Sequence, residues 1–324
     1  MARRRSRQRI RPLQGPRRGS VPVKLVYLGG GVGGAKLLQG LAAECPPENL
    51  TAIINTGDDF EHWGLWISPD IDTSMYTLAG VIDPVKGWGR AEESWNVFEE
   101  MKALGAEDWF LLGDRDMAVH LERTRRLRTG SSLTEVTQHL CQAFGVKVRL
   151  LPMTDKPRAT WMHLADGRDM PFQDWLVKEG GVPPVAYVEY RGTDAPSPQV
   201  LAALDAADAV IVGPSNPWVS ILPMTTLRGV AERLKRLPVI AVSPIIAGTA
   251  VKGPLVSMIA SILQQQATPD AVFSLYAGWL DTGVIDVQDA PDREQPGRIA
   301  APILLPDLAA RRHLARRLLD ILGA

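Results

Sequence analysis

The sequence has few cysteines and no long hydrophobic segment. Cys45 and Cys141 are the only cysteines among 324 residues, so neither a disulfide framework nor a cysteine zinc site is expected. No stretch approaches the roughly 18 apolar residues of a membrane helix, and the arginine-rich start lacks the apolar core of a signal peptide. We therefore expect a cytoplasmic protein with no membrane partner.

Several catalytic signatures are also missing. The chain has no GxSxG turn, no HExxH pair and no GxxxxGK[ST] loop, and its histidines are scattered. These absences leave little support for a hydrolase or a P-loop enzyme. A site without an evident nucleophile instead suits direct phosphoryl transfer, in which positioning and charge neutralisation supply most of the catalysis.

Charge is unevenly distributed, although the formal net charge is zero. Residues 1–20 contain eight arginines and no acid, which leaves the remaining chain acidic. A short tail of Arg, Pro and Gly is more often a solvated extension than a contact for nucleic acid or lipid. We expect residues 1–20 to be disordered and predict no specific nucleic-acid partner.

Five apolar runs predict the strands of a parallel sheet, because they alternate with helical segments. The runs are VKLVYL (23–28), LTAIIN (50–55), KVRLLPM (147–153), ADAVIVG (207–213) and LPVIAVS (237–243). The expected fold class is α/β, with a Rossmann-like parallel sheet core and a mainly helical insertion.

The rest of the chain predicts additions to this core. Residues 91–145 have the pattern of consecutive amphipathic helices, and residues 159–190 that of short strands around a helix. We predict one composite domain at 21–324 with a helical or mixed insertion at about 85–200. An irregular loop is expected at 291–302, before a C-terminal helix.

The first strand ends in a glycine-rich loop within YLGGGVGGAKLLQGL, residues 27–41. Gly29, Gly31 and Gly34 match GxGxxG between a strand and a helix, where backbone N–H groups can bind phosphate. The motif alone is a weak signal. A nicotinamide enzyme also needs an acid after the second strand, and Asp58 is a tolerable match at 24 residues after Gly34.

Acidic side chains are concentrated after the second strand, in NTGDDFEHWGLWISPDIDT. This segment holds Asn55, Asp58, Asp59, Asp70 and Asp72. Carboxylates at the carboxyl ends of parallel strands face the ligand crevice, and Mg²⁺ prefers one or two carboxylates together with phosphate oxygens. The segment predicts a metal or phosphoryl site, with Asp70 and Asp72 as the sharper pair.

Structural roles for these acids remain open at this point. Asp72, followed by Thr73, also resembles the start of a helix, so that one acid of the pair could be an N-cap. Asp58 and Asp59 could be turn residues.

A second loop, in VIVGPSNPWVSILP, interrupts a buried strand at the same edge of the predicted sheet. Its two prolines would present Ser215 and Asn216 rigidly, next to Gly213, and this favours nucleotide binding over a purely structural turn. Ser243, in VSPIIAG, follows the next strand and is a weaker candidate.

The segment LGDRDMAVH places Asp114 and Arg115 at a predicted helix start. The guanidinium could bind phosphate in bidentate fashion, although acids in a first turn also favour the helix dipole without any ligand. Trp63, Trp66 and Trp88 flank the acidic segment and could stack on a planar heterocycle or simply pack in the core.

Taken together and in order, these motifs resemble those of the 2-phospho-L-lactate transferase (CofD-like) family of coenzyme F-420 biosynthesis. The resemblance spans about residues 23–290, in GGGVGGAKLLQGL, INTGDDF, WISPDIDTSMYTLAG, LGDRDMAVH, SLTEVTQHL, LPMTDKP, FQDWLV, VGPSNPWVSI and VSPIIAG. It implies transfer of a phospho-three-carbon-acid group from a guanosine-diphospho-linked donor to 7,8-didemethyl-8-hydroxy-5-deazariboflavin, with release of GMP. It also implies Mg²⁺ at the diphosphate and a homodimer.

The resemblance also implies roles for individual residues. Asp72 maps onto the family's deazaflavin-contacting acid and is expected to orient the attacking hydroxyl or help to hold the metal, and Thr73, Asp114 and Arg115 are further substrate contacts. The expected nucleotide contacts are Gly30, Gly31, Gly33, Lys36, Gly213, Ser215 and Asn216. The expected metal ligands are Asp58, Asp59, Asp70 and Asp72.

Two alternatives remain beside the transferase. A sugar-nucleotide-binding regulator of the gluconeogenesis-factor type shares the glycine loop and the α/β core, but SPDIDT and LGDRD are expected of the transferase. A nicotinamide oxidoreductase rests on GxGxxG alone. The sequence departs from some relatives at Leu111 and Leu112, where they carry a cation before the GD pair, and it does not distinguish phospholactate, phosphoenolpyruvate and phosphoglycerate donors.

Overall fold

The structure is a computed structural model that describes residues 23–250, 253–290 and 295–323. The predicted basic tail at 1–20 lies outside this part of the chain. The strands are β1 (Leu25–Gly29), β2 (Leu50–Ile54), β3 (Phe60–His62), β4 (Leu65–Ile67), β5 (Arg149–Pro152), β6 (Arg158–Leu164), β7 (Asp169–Pro171), β8 (Val185–Gly192), β9 (Ala209–Val212), β10 (Val239–Val242), β11 (Ile245–Ile246), β12 (Thr249–Ala250), β13 (Thr282–Ile285) and β14 (Arg298–Ala300).

The helices surround these strands and vary from one turn to four. The α-helices are α1 (Gly31–Glu44), α2 (Pro69–Ala79), α3 (Asn96–Ala103), α4 (Asp114–Arg128), α5 (Leu133–Ala143), α6 (Pro198–Asp205), α7 (Leu222–Thr225), α8 (Val230–Leu234), α9 (Leu255–Met258), α10 (Pro269–Ser274) and α11 (Leu308–Leu322). Among the described residues, none of them combines the length and the apolarity that a membrane span requires.

A seven-stranded parallel sheet forms the centre of the fold, in the order β5–β2–β1–β9–β10–β13–β14. The chain builds one half of the sheet outward from β1, then returns to the other side of β1 and builds the second half. Strands β1, β9 and β10 are buried along their whole length, as expected for strands covered on both faces. The predicted α/β class with a Rossmann-like sheet is confirmed.

The strand order reverses between β1 and β9. Leu25 pairs with Ala209 and Leu28 with Val212 in parallel register. Because parallel strands end at the same edge, the glycine loop after β1 and the loop after β9 emerge side by side. Ligands of open α/β sheets bind in the crevice at such a reversal.

Two apolar layers cover the sheet, because alternate residues of each strand point to opposite faces. Leu25 and Tyr27 belong to the layer built with α1, α2, α5 and α11. Val26 and Leu28 belong to the other layer, which includes α6, α8, α9 and α10. The carboxyl edge between these layers is left to loops, and these loops carry the predicted site.

The segment predicted as an insertion, about residues 85–200, contains three successive helices, α3 to α5, and a three-stranded antiparallel sheet, β7–β6–β8. Between them, β5 pairs with β2 as an edge strand of the central sheet. The segment therefore returns to the core once before it ends. The β3–β4 hairpin precedes it, and α4 packs against β4.

The structure corrects one local prediction and excludes one alternative. Residues 298–300, expected within an irregular loop, form β14 and pair with β13, whereas residues 291–294 lie outside the described part. Helix α2 begins at Pro69, and the Asp72 N–H donates to the Ser68 carbonyl oxygen at 3.0 Å. Asp72 thus lies one turn inside the helix and is not an N-cap, because proline at the first position sets an earlier start.

Candidate active site

The glycine loop and the loop after β9 are hydrogen bonded to each other. The Ser215 hydroxyl donates to the Gly30 carbonyl oxygen at 2.8 Å, and the Gly30 N–H lies 3.2 Å from Ser215 Oγ. A Cβ at Gly33 would lie 2.8 Å from the Pro214 carbonyl oxygen, so the absence of a side chain allows the two loops to approach. The structure therefore brings together three of the predicted nucleotide contacts.

Asp70 lies at the N-terminal end of α1. The Gly31 N–H donates to Asp70 Oδ1 at 2.7 Å, and Asn55 Nδ2 donates to Oδ2 at 2.9 Å. This carboxylate takes a position that an anion can occupy at a helix N-terminus. Burial raises the pKa of Asp70 to about 6, although the bonds from Asn55 and Gly31 act in the opposite direction. The first N–H of the helix is thus already paired with an acid of the site.

The remaining predicted nucleotide contacts lie in the same region and have structural partners. A Cβ at Gly213 would lie 1.9 Å from the Tyr27 hydroxyl, so this glycine makes room for the ring. Asn216 Oδ1 accepts from the Trp218 N–H at 3.1 Å and caps the π-helical turn that follows. Lys36 lies on α1 and is partly buried.

A cavity of about 570 Å³ opens beside the loop that follows β2. Its lining combines the acids Asp58 and Asp59 with the rings of Phe60, Trp63 and Trp109. A few polar groups among aromatic walls, in a cavity of this size, are typical of a site for a small organic molecule with a planar part.

His62 is a polar group within this aromatic wall. Its ring stacks on Trp63 with the centroids 4.9 Å apart, and it meets Trp109 edge to face at 5.2 Å. The residue is 4% exposed, and its Nε2 has no hydrogen-bond partner. Burial lowers the pKa of His62, which favours the neutral imidazole. A neutral ring with a free nitrogen is available to a ligand's donor or acceptor.

Asp58 and Asp59 each retain a buried carboxylate oxygen without a partner. Asp59 Oδ2 accepts from the Ser68 hydroxyl at 2.7 Å and from Trp66 Nε1 at 3.2 Å, whereas its Oδ1 is unpaired. Burial raises the pKa of both carboxyls well above the usual range. Buried oxygens without donors are costly, so they indicate a place for a cation or a hydrogen-bond donor.

The polar partners of the Asp72 side chain are on α4, whereas the acid bonded to the glycine loop is Asp70. Arg123 donates to Asp72 Oδ1, while Oδ2 has no partner and lies 3.7 Å from His120 Nδ1. Asp72 and Thr73 line a second cavity of about 50 Å³, together with Asp116 and His120. Burial raises the pKa of Asp72 despite the opposing charge of Arg123. A raised pKa makes this carboxylate a stronger base than an exposed aspartate.

Asp114 and Arg115 are engaged with the segment before α3. Asp114 accepts from the Ser94 hydroxyl at 2.7 Å and from the Val97 N–H at 3.0 Å, so it caps α3. The bonds from Ser94 and Val97 lower the pKa of Asp114 to about 2. Arg115 is half exposed and forms an ion pair with Glu92 at 3.2 Å. The hydrogen bonds of Asp114 therefore stabilise α3, and Arg115 lies at the surface.

The three flanking tryptophans have separate positions. Trp63 lines the large cavity, Trp88 lines the small one, and Trp66 donates to Asp59. The stacking prediction is therefore best placed on Trp63, with Trp109 as a partner that the sequence did not indicate.

Sequence reasoning missed His62, Trp109 and Thr160, which line the large cavity, and Arg123, which pairs with Asp72. One signal was readable, because Asp116, His120 and Arg123 follow one another at i, i+4 and i+7 and so share one helix face. No comparable signal exists for His62 and Trp109, since a hairpin and a distant loop bring them together.

The acidic residues fit a magnesium ion unequally. Asp58, Asp59 and Asp72 each keep a free buried oxygen, the donor type that Mg²⁺ prefers, whereas both oxygens of Asp70 are hydrogen bonded. Among the described residues, one group of three has ligand atoms that all lie within 4.8 Å of one another, and it consists of Asp72, Asp116 and His120. Asp58 and Asp59 are not part of this group and line the large cavity instead.

Fold and site together define an α/β group-transfer enzyme, with a glycine loop at the reversal of strand order and unpaired acids in the segment that follows the neighbouring strand β2. The chain belongs to the 2-phospho-L-lactate transferase CofD family, whose match spans residues 25–301. The expected family and the transferase class are confirmed, and the match favours the transferase over the gluconeogenesis-factor type of regulator.

Relatives support the same family. The chain is 39% identical to a phosphoenolpyruvate transferase of Kitasatospora aureofaciens, covering 92% of this chain and 98% of the relative. It is 39% identical to a 2-phospho-L-lactate transferase of Methanosarcina mazei, covering 83% and 88%. A crystal structure of a UPF0052 family member from Bacillus halodurans has a TM-score of 0.64 at 15% identity, covering 93% of this chain and all of the other. This last likeness concerns the fold alone.

Proposed function

We propose that the protein transfers a phospho-three-carbon-acid group from a guanosine-diphospho-linked donor to the deazaflavin 7,8-didemethyl-8-hydroxy-5-deazariboflavin, in coenzyme F-420 biosynthesis. The terminal ribityl hydroxyl oxygen attacks the phosphorus that carries the acid. The bond from this phosphorus to the bridging oxygen breaks, GMP leaves, and the hydroxyl proton passes to a base of the protein.

The acceptor ring occupies the cavity of about 570 Å³. Trp63 and Trp109 supply aromatic faces for a planar heterocycle, and His62 Nε2 supplies a hydrogen bond to its polar edge. The glycine loop and Ser215 contact the nucleotide part of the donor at the reversal of strand order. Thr73 contacts the substrate beside Asp72, and Arg115 is the candidate contact for a phosphate of the donor.

Asp72 is the proposed base and orients the attacking hydroxyl, because it combines a free buried oxygen with a raised pKa. Asp58 and Asp59 would hold Mg²⁺, since each keeps an unpaired oxygen and both line the large cavity, whereas the free oxygen of Asp72 is left to the acceptor hydroxyl. An ion held there would neutralise part of the negative charge of the diphosphate. The unpaired buried oxygens of these three acids are the observation that carries the proposal.

The test is an assay of the purified protein with deazaflavin, Mg²⁺ and guanosine-diphospho-lactate or its enolpyruvate analogue. We expect GMP release and a phosphodiester-linked deazaflavin product, and no turnover by Asp72→Asn. Absence of product with every three-carbon donor, including the phosphoglycerate analogue, would refute the proposal. Tight binding of a UDP-sugar without turnover would support the regulator instead.

The acceptor site has a separate test. Trp109→Leu and His62→Leu should each weaken deazaflavin binding at least about tenfold, since stacking and hydrogen bonds to a buried ligand contribute on the order of 1–3 kcal/mol each. Donor-nucleotide binding by these variants should be unchanged, and equal loss of both ligands would argue against this placement. The homodimer and the cytoplasmic location remain predictions.

A further inference from the structure

Helix α4 presents three ionisable side chains on one face, Asp116, His120 and Arg123. His120 and Arg123 are almost completely buried, at 1% and 0% exposure. Burial of a guanidinium is costly unless its donors are paired, so its partners are specified by the fold. The charged partner of Arg123 in this network is Asp72, which lies on a different helix.

The proton of His120 can be assigned from its neighbours. Arg123 Nη1 lies 3.0 Å from His120 Nδ1, and a guanidinium nitrogen can only donate. Nδ1 therefore accepts, and the ring proton is on Nε2, which lies 3.4 Å from Asp116 Oδ1. Asp116 Oδ1 also accepts from the Tyr76 hydroxyl at 2.6 Å. The Asp116 carboxylate therefore lies on the side of the ring that carries this proton.

This assignment makes the two oxygens of Asp72 different. Oδ1 accepts from Arg123 Nη2. Oδ2 has no donor, because the nitrogen of His120 nearest to it, at 3.7 Å, is itself an acceptor. Oδ2 is therefore the atom of Asp72 that is available to a ligand.

We propose that Arg123 is a positioning residue for Asp72 in the transfer reaction. Its guanidinium bonds Asp72 Oδ1 through one nitrogen, while the other nitrogen faces His120 Nδ1 and the Trp66 carbonyl oxygen at 3.0 and 3.4 Å. These contacts fix the guanidinium, which in turn fixes the carboxylate with Oδ2 directed to the acceptor hydroxyl. The inference rests on the proposed function, because it takes Asp72 as the acid that meets the acceptor.

The experiment compares Arg123→Lys and Arg123→Met with the wild-type chain. Lysine keeps the charge but lacks the fork that bridges Asp72 and His120, and methionine removes the charge at similar volume. We expect kcat to fall about 10-fold for lysine and about 100-fold for methionine, because small misplacement of a catalytic group reduces the rate by such factors. The KM for the deazaflavin should stay within about threefold of the wild-type value.

The matched control is Arg126→Met on the same helix. Arg126 forms an ion pair with Glu122 outside the network, and we expect its kcat to be unchanged. If folded Arg123→Lys and Arg123→Met both keep kcat within about twofold of wild type, the proposal is wrong. If the methionine variant does not fold, the lysine variant alone decides by the same criterion.

A second readout does not depend on activity. Crystal structures of the wild type and of Arg123→Lys should show the Asp72 carboxylate in different orientations, with the wild-type Oδ2 facing the small cavity of about 50 Å³ that Asp72 lines. An unchanged Asp72 side chain in the variant would overturn the proposal even if the wild type proved inactive. Inactivity of the wild type would count against the proposed function and not against the positioning role.

Discussion

Asp70 and Asp72 are two residues apart, yet they serve different parts of the site. Residues at i and i+2 of an α-helix lie roughly 200° apart around its axis. Asp70 therefore reaches the N-terminal end of α1, whereas Asp72 reaches Arg123 on α4. At the scale of single residues, the short motif SPDIDT links the proposed nucleotide side of the site to the proposed acceptor side.

Asp72→Ala should unfold more easily than Asp72→Asn, in addition to being inactive. Alanine leaves the Arg123 charge buried without a partner, and such a loss costs about 3–5 kcal/mol, whereas asparagine keeps an oxygen acceptor. Urea unfolding of both variants measures the difference. Equal stability of Asp72→Ala and the wild type would contradict the buried pairing, and Glu122→Ala, at an exposed ion pair, serves as the control.

Asp70 should make stability depend on pH. Its folded-state pKa of about 6 lies above that of an unfolded aspartate, so the folded chain binds the proton first and gains stability as the pH falls below about 6. Between pH 7.5 and 5, the free energy of unfolding of the wild type should rise by about 1.4 kcal/mol relative to Asp70→Asn. Urea titrations in the presence of a chelator test this, and parallel curves for the two proteins would contradict it.

At the scale of elements, the start of α4 is a junction between structure and site. Its first residue caps α3, while its buried face, from Asp116 to Arg123, meets Asp72. The sequence predicted helix α4 and the acids of the site, but it did not predict that they contact each other. The sequence also did not indicate that the segment before α3 folds back onto Asp114. Because of this contact, Asp114 caps α3 and is not free to bind a ligand.

Asp114→Ala should therefore lower the melting temperature, by roughly a few degrees for the loss of a helix cap. Because the pKa of Asp114 is lowered to about 2, its stabilising effect is present above about pH 4 and is lost as the pH falls towards 2. Differential scanning calorimetry at pH 7 checks the prediction. Arg115→Ala is the neighbouring control and should melt like the wild type, and identical melting of both variants would argue against the cap.

At the scale of the whole molecule, α11 closes one face of the sheet by packing on α1. Leu314 and Leu318 belong to the same apolar layer as Leu37 and Leu41, and Arg316 pairs with Glu44 at 2.8 Å. Helix α1 starts at the site, so the C-terminal helix supports the glycine loop from a distance.

Gly40→Ala should weaken this contact. The added Cβ would lie 2.3 Å from the Arg311 carbonyl oxygen, and displacement of a backbone atom outweighs the roughly 1 kcal/mol that alanine gains within a helix. We expect a net loss of about 1–2 kcal/mol in the free energy of unfolding, measured with urea. A more stable variant would contradict the close packing of α1 and α11, and Ala43→Ser, on an exposed position of α1, is the control.

The sequence by itself determined the α/β class, the main strands, the glycine loop and the family, because periodicity and ordered motifs are local properties of the chain. It did not reveal β14, because Arg298–Ala300 is too short to show a period. The partners of each acid depended on the tertiary structure. Asp70 with Gly31, Asp72 with Arg123 and Asp114 with Ser94 are pairs from different elements. Which carboxylates remain free for a ligand is fixed by packing that brings distant donors to some of them and not to others.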